Sequence, residues 1–330
     1  MRAKVSPGTA SRAINGKGYV NARTKARVLK AASDFNYKAN FNAKSLVSKK
    51  THIIALVIPS IDNSYYARLL KGVQDSAEKK GFFVMCCPSH GDSKKKIDLL
   101  KTFYDIRVDG IVACVEEGES CKKYNDFLTM LNKTGTPIVL TGPRFGISGI
   151  DIVRTENEMS TRKAIEYLLD LNHKNIAFIG GEKNSIVEME RLNGYKGAIE
   201  NAGLKINPEL IKEDNFTYES GYNSMESLLS SGKLPTAVFA ANDVIAIGAM
   251  AAAADNNLKV PEDLSIMGFD DIAMASMIRP QLTTIAQPNY EIGKMAAELL
   301  FERISDNAPS MARNVTLETS LVIRKSAIQR

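Results

Sequence analysis

Ser6, Thr9, Ser11, Arg12 and Asn15 bring hydroxyl, guanidinium and amide groups into one ten-residue window. The set suits phosphates and base edges better than bond-making chemistry. Ser6 is a good N-cap, Pro7 fits a first helical position where its missing N–H costs nothing, and Asn15-Gly16 supplies a left-handed stop. The spacing predicts a helix from Pro7 to Ile14. Ala10 and Ile14 fall four apart on a face that can be buried, which leaves Thr9, Ser11 and Arg12 to meet a polyanion. Any short capped surface helix satisfies this pattern, so a second signal is needed.

Elsewhere the spacing of reactive side chains argues against an enzyme. Gly180-Gly181-Glu182-Lys183-Asn184-Ser185 follows a predicted strand but fails the Gly-x-x-x-x-Gly-Lys-Ser/Thr spacing of a phosphate loop. Gly146-Ile147-Ser148-Gly149 misses the Gly-x-Ser-x-Gly nucleophile elbow. His52, His90 and His173 lie far apart with no carboxylate at ligand spacing, so neither a metal nor another cofactor is expected. Cys86-Cys87 and Cys114 fall in predicted buried strands and Cys121 in a helix, with no Cys-x-x-Cys pair. That usage suits four reduced thiols in a cytoplasmic protein. No apolar run approaches bilayer-spanning length and Met1–Ala10 lacks a signal-peptide core, so neither a membrane partner nor export is expected.

Charge supplies the second signal. Residues 1–50 hold twelve Lys or Arg against the single acid Asp34, a net of +11, while the whole chain carries only +6. The remaining 280 residues are therefore net acidic at −5. A basic end of this kind expects a polyanion. Val28, Leu29, Ala32 and Phe35 interrupt the bases at helical spacing, the pattern of a folded basic module and not of a solvated tail.

From Thr51 onward Val- and Ile-rich runs alternate with helical stretches: 53–58, 82–87, 110–115, 137–141, 176–180, 237–241 and 264–269. Apolar runs separated by amphipathic helices predict parallel sheets covered on both faces. A segment of 280 residues is long for one core, so two such sheets are expected, divided near Val153–Glu156. Ligands on open parallel sheets bind beyond the carboxyl ends of the strands, which directs attention to a cleft between the halves.

Val-Ser-x-x-Thr-x-Ser-Arg-x-Ile-Asn (5–15), Gly-Lys-Gly-Tyr-Val (16–20), Thr-x-x-Arg-Val-Leu (24–29), Phe-Asn-Tyr (35–37) and Asn-x-x-Ala-Lys-Ser-Leu (40–46) stand in order. With them stand Ile-Pro-Ser-Ile-Asp-Asn-Ser-Tyr-Tyr (58–66), Ala-Ala-Asn-Asp (240–243), Met-Gly-Phe-Asp-Asp (267–271) and Arg-Pro-Gln-Leu-Thr-Thr-Ile (279–285). Together they resemble the lactose-repressor/galactose-repressor family of bacterial transcription factors over nearly the whole chain. The resemblance implies an α/β protein. A truncated helix-turn-helix headpiece (1–39) and a hinge helix with linker (40–50) precede an effector domain like a periplasmic binding protein. Its two doubly wound parallel-sheet lobes are expected at 51–155 plus 280–312 and at 156–279 plus 313–330, with a last strand at 315–323. Similar family members carry a further first helix ahead of Val5-Ser6, where this sequence has only Met1–Lys4. The expectation is a start codon farther upstream or, alternatively, a sugar sensor impaired in DNA binding; a soluble sugar-binding protein of the same fold is the other alternative.

By the same resemblance, double-stranded operator DNA meets Ser6, Pro7, Gly8, Thr9, Ser11, Arg12, Asn15 and Tyr19 of the headpiece and Asn40, Ala43, Lys44 and Leu46 of the hinge. Leu46 occupies the place of the wedge that family hinges insert between base steps, and Lys44 stands where Arg is frequent. Pro7 and Gly8 present little side chain to bases, which leaves specificity to Arg12, the hinge and DNA shape. The resemblance places a small-molecule effector, a carbohydrate, against Ser60, Asn63, Tyr65, Tyr66, Arg191, Phe216, Asn242, Asp270 and Gln287. Planar polar groups take vicinal hydroxyls in pairs and rings stack on the apolar face of a sugar. Asn242 and Asp270 have a structural reading as helix caps. A paired hinge over two half-sites requires a homodimer, to which the stripe Leu69, Leu70, Val73 and Ala77 is a candidate contributor, core packing being the equal alternative for it. The implied switch is an effector-dependent change of interlobe angle that alters operator affinity.

Overall fold

The computed structural model describes residues 4–15, 18–35, 50–115, 122–143, 147, 149–183, 185–232 and 234–330, except the side chains of Asn15 and Lys122. The chain forms two compact units, residues 1–51 and 52–330. The expected hinge residues Asn40, Ala43, Lys44 and Leu46, the Gly16 stop and Cys121 lie outside the described residues.

In the first unit α1 (Pro7–Asn15) packs on α2 (Ala22–Asp34). Ser6 caps α1 as its sequence requires: its Oγ accepts from the Thr9 N–H at 3.2 Å, and its carbonyl accepts from Ala10. The buried apolar residues described here are Ala13 and Val28, whereas Ala10 and Ile14 are half-buried. The expected apolar face is thus rotated toward Ala13, and Leu29 and Phe35 stand exposed.

The second unit begins with β1 (Ile53–Ile58), α3 (Ser64–Lys79), β2 (Phe83–Pro88), α4 (Ser93–Asp105), β3 (Gly110–Cys114), α5 (Lys122–Lys133), β4 (Ile138–Thr141) and β5 (Asp151–Thr155). It continues with α6 (Asn157–Asp170), β6 (Ile176–Gly180), α7 (Ile186–Asn201), β7 (Ile211–Glu213), α8 (Tyr218–Ser230), β8 (Ala237–Ala240), α9 (Asp243–Asp255) and β9 (Ser265–Asp270). The closing elements are α10 (Ala273–Met277), β10 (Thr283–Ala286), α11 (Asn289–Ile304), β11 (Asn314–Leu317) and β12 (Ser320–Val322).

Two sheets result, ordered β2-β1-β3-β4-β5-β11 and β7-β6-β8-β9-β10-β12. All pairings are parallel except β12 with β10. The uninterrupted apolar run of β1 has a direct cause. Ile54, Leu56 and Ile58 face a core containing Leu69, Val73 and Leu300, while Ala55 and Val57 face another containing Leu100 and Phe103. Successive side chains point to opposite faces, so a strand covered on both must be apolar throughout.

Three elements depart from the expected layout. The resemblance implies a crossing near 280, but 283–286 pair in parallel with β9, so β10 belongs to the second sheet and the chain crosses at Gln287-Pro288 instead. The expected strand 315–323 is two strands: β11 extends the first sheet on β5 and β12 returns to β10, with the crossing at 318–319 rather than 313. Strand β2 is a sheet edge and leaves Phe83 71% exposed, so Cys86 and Cys87 are half-buried instead of buried. The stripe Leu69, Val73 and Ala77 is fully buried in the first lobe's own core against α11, not presented to a second copy.

Backbone proximity fixes the helix layers. A Cβ on Gly72 would come within 2.1 Å of the Tyr290 carbonyl oxygen, and one on Gly293 within 2.0 Å of that of Leu69, so α3 and α11 touch through bare backbone. The second lobe repeats the device at Gly221 and Gly248 between α8 and α9. The Asp151 side chain, with no solvent exposure, ties β5 to the return segment through Arg303 at 2.7 Å and Arg313 at 2.8 Å.

Candidate functional site

The carboxyl ends of both sheets open onto one cleft of about 710 Å³ between the lobes. The first lobe contributes Ser60, Asn63, Tyr65 and Tyr66 from the β1–α3 loop and start of α3. The second contributes Arg191 from α7, Phe216 after β7, Asn242 after β8 and Asp270 at the end of β9, while Gln287 comes from the crossing. All nine residues singled out from the sequence therefore line the same space.

Arg191 is the centre of the second-lobe wall. Its Nε and Nη2 donate to Asn157 Oδ1 at 3.3 and 3.2 Å, and Nη1 donates to the Ala241 carbonyl. Nη2 also lies 3.7 Å from Asp270 Oδ1, and the guanidinium carbon sits 3.9 Å from the centre of the Phe269 ring. A fork held on three sides is oriented before any ligand arrives.

Asp270 is nearly fully buried and its backbone has φ of +114°, a conformation that non-glycine residues seldom adopt. Such strain persists only where neighbours over-determine it. Gln287 Nε2 donates to Asp270 Oδ1 at 2.7 Å, Arg324 holds Asp271 at 2.6 Å, and the Ile272 N–H donates to Asp243 Oδ2 at 2.8 Å. Burial pushes the Asp270 carboxyl up to about 6, with Arg191 and Gln287 pulling the other way. Asp243, deeper still and facing Asp270, is raised well above the carboxylate range by burial and by that neighbouring charge.

The amides have divided roles. Asn242 Oδ1 caps α9 by accepting from Ile245 at 2.7 Å, and Asn63 Oδ1 caps α3 by accepting from Tyr65 at 2.9 Å. Each cap engages only the carbonyl oxygen and fixes the direction of the donating NH2. The cap reading and the cleft reading of Asn242 are thus compatible, and Asp270 caps no helix. Ser60 and Asp62 close a local turn on one another at 3.0 and 3.2 Å. Tyr65 and Tyr66 meet edge to face at 4.8 Å, and this aromatic pair lines the same cleft as Phe216.

Asn157 and Thr155 escaped notice in the sequence. Thr155 Oγ1 donates to Gln287 Oε1 at 2.7 Å, so one amide bridges β5 to Asp270. Asn157 orients Arg191 and donates to Glu190 at 2.8 Å. Asp62, His90, Arg154, Asn215 and Glu219 also line the cleft. Asp62, His90 and Asn215 have as their sequence signal a polar residue just past a strand end, whereas Arg154 lies within β5 and Glu219 in the first turn of α8.

In the first unit Ser6, Pro7, Gly8, Ser11, Arg12 and Tyr19 are exposed, and a Cβ on Gly8 would meet nothing within 4 Å. Arg12 Nε donates to the Gly8 carbonyl at 3.3 Å. Thr9 departs from expectation: it is half-buried and its hydroxyl lies 3.0 Å from Ser6 Oγ, within the cap. Among the described residues no His, Cys, Asp and Glu cluster could hold a metal, and no helix is long and apolar enough to cross a membrane.

Comparison with known proteins gives a consistent set of matches. The lacI family of bacterial regulatory proteins matches residues 1–40, and a periplasmic binding protein-like domain matches residues 165–327. The HTH-type transcriptional repressor PurR of Pasteurella multocida is 35% identical over 330 residues, covering 99% of this chain and 97% of the relative. The lac repressor dimer bound to operator and the anti-inducer ONPF has a TM-score of 0.86 at 25% identity, covering 99% of this chain and 97% of that one. The transcriptional regulator CelR in complex with cellobiose has a TM-score of 0.76 at 28% identity, covering 98% and 97%.

Proposed function

Because the chain belongs to the lacI family of bacterial regulatory proteins, we propose that it represses transcription by binding operator DNA as a homodimer and that a sugar in the interlobe cleft controls this binding. The observation that carries the proposal is the convergence of Arg191, Asn242, Asp270 and Gln287 with Phe216, Tyr65 and Tyr66 on one cleft of about 710 Å³. Asp270 accepts from sugar hydroxyls, the Asn242 and Asn63 amides donate, and the rings cover the apolar face of the sugar. Arg191 beside Asp270 and Arg154 beside Glu156 offset their charges, which favours an uncharged ligand.

The basic segment 1–50 takes the polyanion, Arg12 reaching base edges and the remaining Lys and Arg the phosphates. Repression of this kind belongs in the cytoplasm, where Cys86, Cys87 and Cys114 stay as free thiols. Closure of the lobes on the sugar changes the angle between them and so the affinity of the paired headpieces for two half-sites.

A panel of free and phosphorylated sugars tests the cleft by thermal shift. A ligand at 100 times its Kd adds about 2.7 kcal/mol and raises the melting temperature by several degrees. The chain has no tryptophan, so Phe216→Trp places the one indole, excited apart from the tyrosines at its red edge, in the wall. Its spectrum is expected to move with each sugar that raises the melting point. No shift with any sugar, together with an unchanged spectrum, would overturn the effector assignment.

A further inference from the structure

The aromatic wall of the cleft rests on a platform that the function above leaves unused. Gly180 ends β6 and Gly181 follows it, the glycine pair whose spacing fails that of a phosphate loop. Neither has a positive φ, so the backbone conformation is open to any residue. Space is what excludes a side chain. A Cβ on Gly180 would lie 1.9 Å from Glu188 Oε1, and a Cβ on Gly181 would lie 2.3 Å from Phe216 Cζ and 2.4 Å from Cε1. One glycine thus makes room for a carboxyl group and the next for the ring.

Glu188 locks this arrangement from beneath. It sits in the first turn of α7, fully buried, three residues before Arg191. Its Oε2 accepts from the Gly181 N–H at 2.7 Å, so the carboxyl group holds the peptide on which Phe216 lies. Burying a carboxyl group is costly, and among the described residues the Gly181 backbone donor offsets part of that cost. Burial pushes the group up to about 7, against the hydrogen bond from Gly181 and the nearby Arg191.

We propose that Gly181 and Glu188 are positioning residues: the Glu188 carboxyl group fixes the Gly181 peptide, the bare Gly181 Cα seats the Phe216 ring, and that seat sets the width of the cleft. The ring end is the movable partner, so a methyl group on Gly181 drives it out of its seat and into the ligand space. Loss of the Glu188 acceptor frees the platform. The consequence for ligands rests on the sugar-binding assignment; the seat itself does not.

The full-length chain with 4-fluorophenylalanine at position 216 gives a ligand-free readout by fluorine NMR. Gly181→Ala and Glu188→Ala are expected to displace or broaden the resonance. Glu188→Gln, which keeps an acceptor oxygen, should leave it near the parent position. In a second measurement, the loss of unfolding midpoint caused by Gly181→Ala should vanish in a Phe216→Ala background, because no ring remains to be displaced. This pair keeps the test open if Gly181→Ala alone folds poorly. With any sugar that binds, Gly181→Ala should weaken affinity by about tenfold or more, the range for one methyl-sized change in a pocket, and larger sugars should lose more than smaller ones. An unmoved resonance in both Gly181→Ala and Glu188→Ala, or an equal midpoint loss in the two backgrounds, overturns the proposal. A displaced resonance with no response to any sugar counts against the sugar assignment and supports the seat.

Discussion

Replacing Arg191 by Met should be among the most damaging single changes in the second lobe. The guanidinium is buried, donates to Asn157 and Ala241 and stands 3.7 Å from Asp270. At that separation and an effective dielectric near 20 the charge attraction alone is about 4 to 5 kcal/mol. Desolvation offsets part of it, but removing one partner leaves Asp270 buried and uncompensated, which costs about 3–5 kcal/mol in comparable pairs. That is a large share of the roughly 5–15 kcal/mol that holds a typical domain folded. Arg191→Met, Asp270→Asn and the double variant complete a cycle readable by urea unfolding with a common m-value. The double variant should be less destabilised than the sum of the singles by about 1–3 kcal/mol, the range for residues in contact. Arg191→Lys should recover part of the stability but not sugar affinity, because an ammonium cannot reproduce the three-sided fork. A cost for Arg191→Met below about 1 kcal/mol, or additivity within about 0.5 kcal/mol, would refute the coupling.

Other consequences can be measured separately. Asp270, raised by burial to about 6, accepts from sugar hydroxyls most strongly when ionised, and protonation turns one of its two acceptor oxygens into a donor, so affinity should be level above pH 7 and fall as pH drops below 6. Calorimetry from pH 8 to 5 checks this; Asp270→Asn should be weak and flat, and affinity rising on acidification contradicts it. Asp151 shows the opposite shift. Burial alone would raise its carboxyl, but hydrogen bonds from Arg303 and Arg313 together hold it below the usual carboxylate range. Its contribution is therefore fully present above the ordinary carboxylate range and lost as pH falls below that range through the lowered value; Asp151→Asn should cost about 3 kcal/mol at neutral pH by urea unfolding, and a neutral result would deny the clasp. Gly72→Ala forces backbone apart between α3 and α11, so a fall in melting temperature of several degrees is expected, whereas a small surface effect would contradict the close approach.

Much of this arrangement is legible in the residues. β1 and β3 announce themselves as unbroken apolar runs because both faces are covered, and Asn242 and Asp270 are visible because each follows or ends such a run. The strand β10 is not visible in this way. Its Thr283 and Thr284 are fully buried polar residues satisfied by the Arg324 N–H and by Asp243, a pairing that hydropathy does not register. The split between β11 and β12 depends on which neighbour each half pairs with, and no local residue marks it. Thr155 and Asn157 owe their roles to Gln287 and Arg191, 132 and 34 residues away. Gly180 and Gly181 read only as part of a failed phosphate loop and Glu188 carries no signal, because Phe216, which the Gly181 backbone seats, arrives only with the tertiary fold.

The central claim is that a basic DNA-binding segment and a sugar cleft are coupled in one chain. The most direct test is fluorescence anisotropy of a labelled duplex from the region upstream of the protein's own gene, titrated with full-length protein with and without a saturating sugar identified by thermal shift. The account predicts binding that weakens by about 10³-fold or more between 50 and 200 mM salt if six or more phosphates are contacted. It also predicts a sugar-dependent change in affinity of about fivefold or more. No binding to the duplex at 50 mM salt, or an affinity indifferent to a sugar that demonstrably occupies the cleft, would contradict it.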